Sequence, residues 1–272
     1  MKIVNNRLVA EATTEKISQY QSPNKGGLIV PEYLIIHYTA GRSAESSVAT
    51  FMNPAEKKSA HLVIGRDGSI HQMMDFTRKA WHAGVSHWGA LDGLNSYSIG
   101  IELDNPGKLT KVNGKYVAWF GKAYPESDVL EAQHKNQTHK AFWHTYTEAQ
   151  LEACIAVSKV LVKKYGLKDI LGHDDIAPDR KEDPGPAFPM ASFKAHVMGR
   201  DDLALPMYEV VKSLVNVRKG PGLDYEVITQ LQKGATVTFL DAQNGWFKVQ
   251  LNGDHPEGLG WIHNTLIAKK QL

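Results

Sequence analysis

The hydrophobic pattern of the longer, N-terminal part of the chain predicts several buried strands. Residues 33–38 (YLIIHY) and 98–103 (SIGIEL) are β-prone runs with few polar positions, which is typical of strands buried on both faces. Residues 61–64 and 69–73 flank an Asp-Gly pair at residues 67–68, and this arrangement predicts a β-hairpin. Together these segments predict the inner part of one sheet.

Helical periodicity is clearest over residues 147–165, where Thr147 and Gln150 form a capping box. Shorter helices are predicted at residues 43–51 and 190–198. Because these helices are interleaved with the strands, the pattern favours an α/β domain.

The pattern of hydrophobic positions changes near the C-terminus. Residues 205–272 contain short β-rich runs separated by turns and show no helical period, which indicates a small all-β barrel or sandwich. The charged stretch at residues 200–206 ends in proline and is a candidate linker. We therefore predict an N-terminal arm at residues 1–31, a large domain at 32–199 and a small one at 206–272.

Between the strand at 98–103 and the long helix, the pattern fades. Residues 104–147 are predicted to be a long loop without regular structure, and loops of that length in a compact domain are usually functional. The segment carries Trp119 among its aromatic residues. Its histidines are unevenly spaced, so we assign no metal to His134, His139 or His144.

Composition places the chain among ordinary globular proteins, with 42% hydrophobic and 22% charged residues. The net charge of +2 is too small to indicate a nucleic-acid partner. No run approaches the roughly 20 apolar residues that a membrane span needs. The single cysteine, Cys154, excludes an internal disulfide and is predicted to be a small core residue.

Candidate chemistry is densest in residues 172–188 (GHDDIAPDRKEDPGPAF), where three prolines, followed directly by Pro189, exclude a continuous helix. His173 and Asp183 are good zinc ligands, and Lys181 places a cation beside them. A catalytic zinc site needs a third ligand, and His37 at the end of a predicted inner strand is the best candidate. Taken singly, each has another interpretation: a structural histidine, a turn-forming aspartate or a solvated lysine.

Glu102 lies in the apolar run SIGIEL, and a carboxylate in such a strand needs a partner or a function. It is either a general base beside a zinc-bound water or half of a salt bridge. Trp81 and His82 lie in AWHAG, where Gly84 permits a tight loop. We predict that both contact substrate, and a packed or surface histidine is the alternative for His82.

Five stretches carry a resemblance to a known family: IIHYTA, SAHLVIGRDGSIHQ, AWHAG, SIGIEL and GHDDIAPDRKEDPGPAF. They occur in the family's order over roughly residues 34–188. In them the chain resembles the zinc-dependent N-acetylmuramoyl-L-alanine amidases of the type 2 amidase (peptidoglycan-recognition-protein-like) family. The last stretch is nearly diagnostic and most resembles the subgroup that cleaves muropeptides or peptidoglycan in Gram-negative bacteria.

The resemblance implies that Zn²⁺ is held by His37, His173 and Asp183, and that Glu102 and Lys181 are catalytic. It also implies a mixed central sheet flanked by helices, with an open groove. The chain departs from the subgroup in its insertion after the SIGIEL strand, which puts the substrate range in doubt.

A second departure concerns residue 60. Some family members carry a tyrosine before the strand that follows, and Ala60 stands there instead, so a tyrosine-assisted mechanism is not supported. The C-terminal part resembles bacterial SH3-like (SH3b) domains through NVRKGPGLDYEVITQLQKGATV, GWFKV and GLGWIH. In cell-wall enzymes such domains commonly bind peptidoglycan.

The expected function is hydrolysis of the amide between N-acetylmuramic acid and L-alanine in peptidoglycan or muropeptides by a monomer, as in an endolysin. Two alternatives are a zinc peptidase that cuts within the stem peptide and a non-catalytic recognition protein. The N-terminal segment MKIVNNRLVAEATTEK lacks the apolar region of a signal peptide. We therefore expect synthesis in the cytoplasm and action in the cell wall or periplasm after release by another route.

Overall fold

The first 188 residues and the rest of the chain form two separate units. The structure is a computed structural model that describes residues 1–199, 207–243, 245–252 and 258–270. The two units are Met1–Phe188 and Pro189–Leu272. The helix near residue 190 thus groups with the second unit, whereas the sequence prediction counted it with the first. The predicted linker at 200–206 lies outside the described residues.

The described strands of the first unit are short except at its centre. They are β1 (Lys2–Val4), β2 (Arg7–Val9), β3 (Ile17–Gln19), β4 (Lys25–Leu28), β5 (Tyr33–Tyr38), β6 (Leu62–Ile64), β7 (Ile70–Gln72), β8 (Arg78–Ala80), β9 (His87–Trp88), β10 (Leu91–Asp92), β11 (Ser98–Leu103), β12 (Lys108–Val112), β13 (Lys115–Val117), β14 (Ala123–Tyr124), β15 (Val129–Gln133), β16 (Lys140–His144) and β17 (Asp169–Gly172). The helices are α1 (Ala44–Met52), α2 (Glu148–Tyr165) and α3 (His173–Ile176).

The central sheet has the order β17-β5-β11-β6-β7-β3. Its first four strands run parallel, β6 and β7 form the predicted antiparallel hairpin, and β3 joins the edge in parallel. The sheet is therefore mixed, as predicted. Leu34, Ile36, Ile99 and Ile101 are completely buried in it, in keeping with strands covered on both faces.

Both predicted helices of this unit begin at their predicted caps. The Ser43 hydroxyl accepts a hydrogen bond from the Ser46 amide at the start of α1, and α1 packs through Phe51 against the sheet. Thr147 and Gln150 form the predicted capping box of α2. Cys154 is buried in this helix, as predicted.

The N-terminal segment is more regular than predicted. Strands β1 and β2 form a hairpin, β3 extends the central sheet, and β4 pairs with β8. Residues 1–31 therefore contribute strands to the first unit, although their sequence pattern is weak because each strand has only three or four residues.

The prediction of a structureless loop at residues 104–147 is wrong. The segment folds into a five-stranded sheet with the order β14-β13-β12-β16-β15. A small core of Leu109, Tyr116 and Ala118 holds it together, with Phe120 and Phe142 packed against it. Its strands have two to five residues, too short for a clear period in the sequence.

The second unit begins with α4 (Met190–Met198), as the sequence predicted, and continues in strands. These are β18 (Met207–Val210), β19 (Leu214–Arg218), β20 (Val227–Gln232), β21 (Thr236–Gln243), β22 (Trp246–Leu251), β23 (Leu259–His263) and β24 (Ile267–Lys269). They form one antiparallel sheet with the order β20-β19-β23-β22-β21-β18-β24 around a core of valine, leucine and isoleucine. In the described residues of both units, no helix has the length and apolar character needed to span a bilayer.

Candidate metal centre and active site

Two parallel strands in the middle of the central sheet carry the first pair of candidate residues. The register of β5 and β11 places His37 directly beside Glu102. Side chains alternate along β11, so Ser98, Gly100 and Glu102 share one face, while the apolar side chains between them share the other. The face of β11 that lies toward the site is thus small or polar at every position.

The structure brings together the three residues predicted to bind zinc. The Nδ1 atoms of His37 and His173 lie 2.9 Å apart, and they lie 2.8 and 2.9 Å from Asp183 Oδ2. Residues 173–183, which carry two of the three predicted ligands, are called the ligand loop. The Asp174 amide donates to the Asp183 carbonyl at 2.8 Å, so the two ends of this loop are tied together. All three ligand residues are buried.

A chain of hydrogen bonds fixes the tautomer of His37. The Leu94 carbonyl can only accept, so the Ser98 hydroxyl donates to it at 2.6 Å. Ser98 Oγ therefore accepts from His82 Nε2 at 3.3 Å, which leaves His82 Nδ1 to accept from His37 Nε2 at 2.9 Å. His37 Nδ1 is then left with a lone pair. Gly100 makes this possible, because a Cβ there would lie 2.5 Å from the His82 ring.

The donor set fits a zinc ion. His173 Nε2 donates to the Ala83 carbonyl at 3.1 Å, so its Nδ1, like that of His37, presents a lone pair in the neutral ring. Burial, and then the neighbouring His173, lowers the pKa of His37 to about 4, so His37 is neutral near pH 7. The Nδ1 atoms of the two histidines and the Asp183 carboxylate oxygen converge on one point, and two imidazoles with one carboxylate form a known catalytic zinc set.

Glu102 has no partner for one of its oxygens. The residue is half-buried, and its Oε2 atom is buried without a hydrogen bond. Burial, and then the negative charge of Asp183, raises the pKa of Glu102 well above its usual value, although Lys181 opposes the shift. The salt-bridge interpretation finds no support, because no described residue forms an ion pair with Glu102.

A cleft of about 530 Å³ opens over these residues. Lys181 lines it, and among the described residues none forms a hydrogen bond or an ion pair with its ammonium group. Trp81 and His82 also line the cleft, Trp81 with 38% of its surface exposed and His82 with only 8%. Both ring nitrogens of His82 are engaged within the protein, so the substrate contact predicted for it has no free ring nitrogen to use.

The insertion braces the ligand loop, which the sequence did not reveal. His134 Nε2 lies 3.0 Å from Asp174, and the Lys135 ammonium lies 2.8 Å from the same carboxylate. At the other end of the loop, Lys108 forms an ion pair with Glu182 at 3.0 Å. His134 thus supports the ligand loop without lying in the cluster of predicted ligands.

The AWHAG loop is also held by residues that the sequence did not single out. Arg180 donates to the carbonyls of Ala83 and Val85 at 3.0 and 2.7 Å. Asn95 Oδ1 accepts from the amides of His82 and Ala83 at 3.0 and 2.8 Å. The sequence carries a signal for the Arg180 contacts, because Arg180 lies next to Lys181 in the ligand loop. It carries no local signal for the Asn95 contacts.

Two known protein families match the chain, one in each unit. The family model described as N-acetylmuramoyl-L-alanine amidase matches residues 28–186, which span the cleft and all three ligands. The chain belongs to this family. The model described as bacterial SH3 domain matches residues 213–268, within the antiparallel sheet of the second unit.

Curated relatives of the chain include two from Escherichia coli (strain K12). The chain is 37% identical over 141 residues to 1,6-anhydro-N-acetylmuramyl-L-alanine amidase AmpD, covering 51% of the chain and 58% of the relative. It is 33% identical over 165 residues to N-acetylmuramoyl-L-alanine amidase AmiD, covering 57% of the chain and 49% of the relative. The chain thus spans between about half and three fifths of the length of these relatives.

A solved structure shares the fold. The crystal structure of a Se-Met AmpD derivative is similar with a TM-score of 0.51 and 26% identity, over 72% of the chain and 99% of the solved one. The predicted architecture, a mixed sheet with helices and a separate all-β part, is therefore confirmed.

Proposed function

We propose that the chain hydrolyses the amide between the lactyl group of N-acetylmuramic acid and L-alanine. The observation that carries the proposal is the meeting of three lone-pair atoms, from His37, His173 and Asp183, beside the unpartnered carboxylate oxygen of Glu102. Family membership and the printed activities of AmpD and AmiD support this reaction class.

The three ligand residues would hold Zn²⁺. When bound, zinc lowers the pKa of a coordinated water and polarises a carbonyl. His82, through Ser98, keeps the His37 lone pair aimed at the ion, and Ala83 does the same for His173. The buried position of the ligands keeps bulk water from competing for them.

Glu102 would accept the proton of the attacking water and pass it to the leaving amine. Its raised pKa suits both steps, because a carboxylate of higher pKa is a stronger base toward the water and, once protonated, can still donate to the leaving amine. Lys181 would stabilise the oxyanion that develops on the substrate carbonyl, an effect of about 3 kcal/mol for one well-placed donor. Its ammonium has no competing partner among the described residues.

The other predicted residues and the two units have separate proposed roles. Trp81, partly exposed in the cleft, would contact substrate, whereas His82 would act on His37. The first unit would carry catalysis, and the domain predicted at residues 206–272 would bind the wall. Peptidoglycan or its muropeptides are the proposed substrates, the protein is proposed to act as a monomer, and the cell wall or periplasm is the proposed place of action.

Mass spectrometry of peptidoglycan digested with the zinc-loaded protein tests the proposal. We expect free L-alanine amino termini and intact N-acetylmuramic acid. Cuts between stem-peptide residues would show that the protein is a peptidase and not an amidase. Tight muropeptide binding without any product would indicate a recognition protein instead.

A further inference from the structure

We propose that Trp119, carried by the insertion, is a substrate-contact residue whose indole stacks on a pyranose ring of the glycan part of the substrate. The proposal rests on the proposed function, because it assumes that a muropeptide or peptidoglycan occupies the cleft over His37.

The first observation is where the insertion places its tip. Strands β13 and β14 form an antiparallel hairpin. Its turn is closed by hydrogen bonds from the Gly121 amide to the Ala118 carbonyl at 2.8 Å and from the Ala118 amide to the Lys122 carbonyl at 2.9 Å. Gly121 has φ +89°, which favours glycine there. Trp119 and Phe120 therefore stand at a well-defined hairpin tip.

The two neighbouring aromatic residues at this tip have opposite environments. Phe120 packs against the small core of the insertion, and the Arg42 guanidinium lies 5.0 Å from its ring centre. Trp119 leaves 77% of its surface exposed. The core of the insertion thus accounts for Phe120. The Trp119 ring meets the Phe120 ring edge to face, with 5.5 Å between the ring centres, and most of the indole surface stays open to solvent.

The exposed indole is nevertheless fixed in place. Trp119 Nε1 donates to the Ala40 carbonyl at 2.8 Å, and Ala40 follows His37 by three residues in the loop after β5. Trp119 lines the same cleft as His37, Glu102 and Lys181. A pre-oriented aromatic surface loses little conformational entropy when a ligand binds to it.

The surroundings of Ala40 favour a sugar as the contact. A Cβ placed on Gly41 would lie 2.8 Å from Ser47 Oγ and 3.6 Å from Ser46 Oγ, so two hydroxyl groups lie beside the indole anchor. Each donates to the Ser43 carbonyl and keeps an oxygen lone pair that can accept from a sugar hydroxyl. Both residues line the cleft. An apolar face with neutral hydroxyl groups next to it complements a pyranose, which has C–H groups on its faces and hydroxyl groups at its edge.

Binding measurements on a catalytically inactive background separate the sugar contact from turnover. Zinc-loaded Glu102→Gln protein, with and without Trp119→Ala, is titrated calorimetrically with two probes. One is N-acetylglucosaminyl-N-acetylmuramyl stem peptide, and the other is the same stem peptide without saccharide. We expect Trp119→Ala to weaken binding of the first probe by about three- to tenfold and to leave the second unchanged.

Two further variants isolate the ring. Trp119→Phe keeps an aromatic face without the indole N–H and should recover most of the affinity for the saccharide probe. Val112→Ala removes another exposed apolar side chain, 48% exposed on β12 of the same sheet and outside the cleft lining, and should change neither titration.

Equal affinity of Trp119→Ala for the saccharide probe, or equal weakening of both probes, would overturn the inference. That result is distinct from failure of the proposed function, which shows itself as no L-alanine amino termini from the wild-type protein. In the active background, the expected signature is a higher KM for the saccharide-bearing substrate with kcat unchanged.

Discussion

The two units of the chain bury different kinds of side chains. In the first unit, the buried residues include a connected polar group of His37, His82, Ser98, His173 and Asp183. In the second unit, every buried side chain in the described part of residues 207–270 is apolar. Both units are rich in strands, so secondary structure does not account for the difference.

Burying a polar group costs free energy unless it finds a partner, so a fold that gathers such groups does so for chemistry. In the first unit, burial holds the proposed metal ligands and the proposed base in position. The second unit uses burial for a core, which leaves only its surface to recognise anything. The expected changes below test that division, beginning with those that should alter function most.

Removal of a ligand should have the largest effect. His37→Ala deletes one of three donors, so the zinc content should fall to background and activity should drop by at least about 10³-fold. Elemental analysis and muropeptide hydrolysis measure both. His139→Ala, an exposed histidine of the insertion, is the matched control and should keep metal and activity. Full zinc occupancy in His37→Ala would contradict the ligand set.

Glu102→Gln should separate metal binding from catalysis. The substitution keeps the shape of the side chain and removes the proton acceptor, so kcat should fall by about 10²- to 10⁴-fold with zinc retained. Glu152→Gln, at an exposed position of α2, is the control. Turnover of Glu102→Gln at the wild-type rate would remove the role of Glu102 as the base.

The sequence was sufficient to predict most of this centre because its signals are local. The apolar runs of β5 and β11 and the proline-rich ligand loop are each visible in a few consecutive residues. The strand β11 carries one further local signal of the site. In SIGIEL, Ser98, Gly100 and Glu102 alternate with Ile99, Ile101 and Leu103, which marks a face that is not built for packing.

The insertion could not be predicted in the same way. Its strands are too short to show a period, and its contacts join residues far apart in the chain, such as Lys108 with Glu182 and Lys135 with Asp175. Such ion pairs leave no local pattern, since an isolated lysine or glutamate is ordinary on a surface. The long-range bracing of the ligand loop is visible only in the folded chain.

The hydrogen-bond chain behind His37 should affect zinc affinity more moderately. His82→Phe fills the space under Gly100 but offers no acceptor to His37 Nε2, so zinc affinity should fall by about 10- to 100-fold. Competition with a chelator of known affinity measures it. His82→Gln restores an acceptor and should recover part of the loss. Unchanged zinc affinity in His82→Phe would show that the tautomer of His37 is fixed by the metal alone.

Loss of the strands of the second unit should affect binding to the wall and not the chemistry. A chain ending at residue 200 lacks all the strands that match the bacterial SH3 domain. It should hydrolyse small muropeptides at the wild-type rate. Its sedimentation with intact sacculi should weaken about tenfold or more, because only the first unit can then contact the wall. Equal sedimentation of the short and full chains would remove the case for a wall-binding unit.

The smallest expected effect is on stability, and it follows from the sign of the Glu102 pKa shift. Below the ordinary glutamate pKa, about 4.5, Glu102 is protonated in both folded and unfolded chains. Above it, the folded state keeps the proton longer than the unfolded state, so rising pH costs the zinc-free protein stability.

Glu102→Gln removes this cost, because the amide carries no charge at any of these pH values. In the presence of a chelator, the variant should therefore become more stable than the wild type as pH rises from 4.5 to 8. The difference in the free energy of unfolding, measured with urea, should reach about 1 kcal/mol. A difference that stays constant over this range would mean that the Glu102 carboxylate is well solvated in the folded state. In that case the Glu102 carboxylate would not destabilise the first unit. The two units would then not differ in the free-energy cost of the groups that they bury.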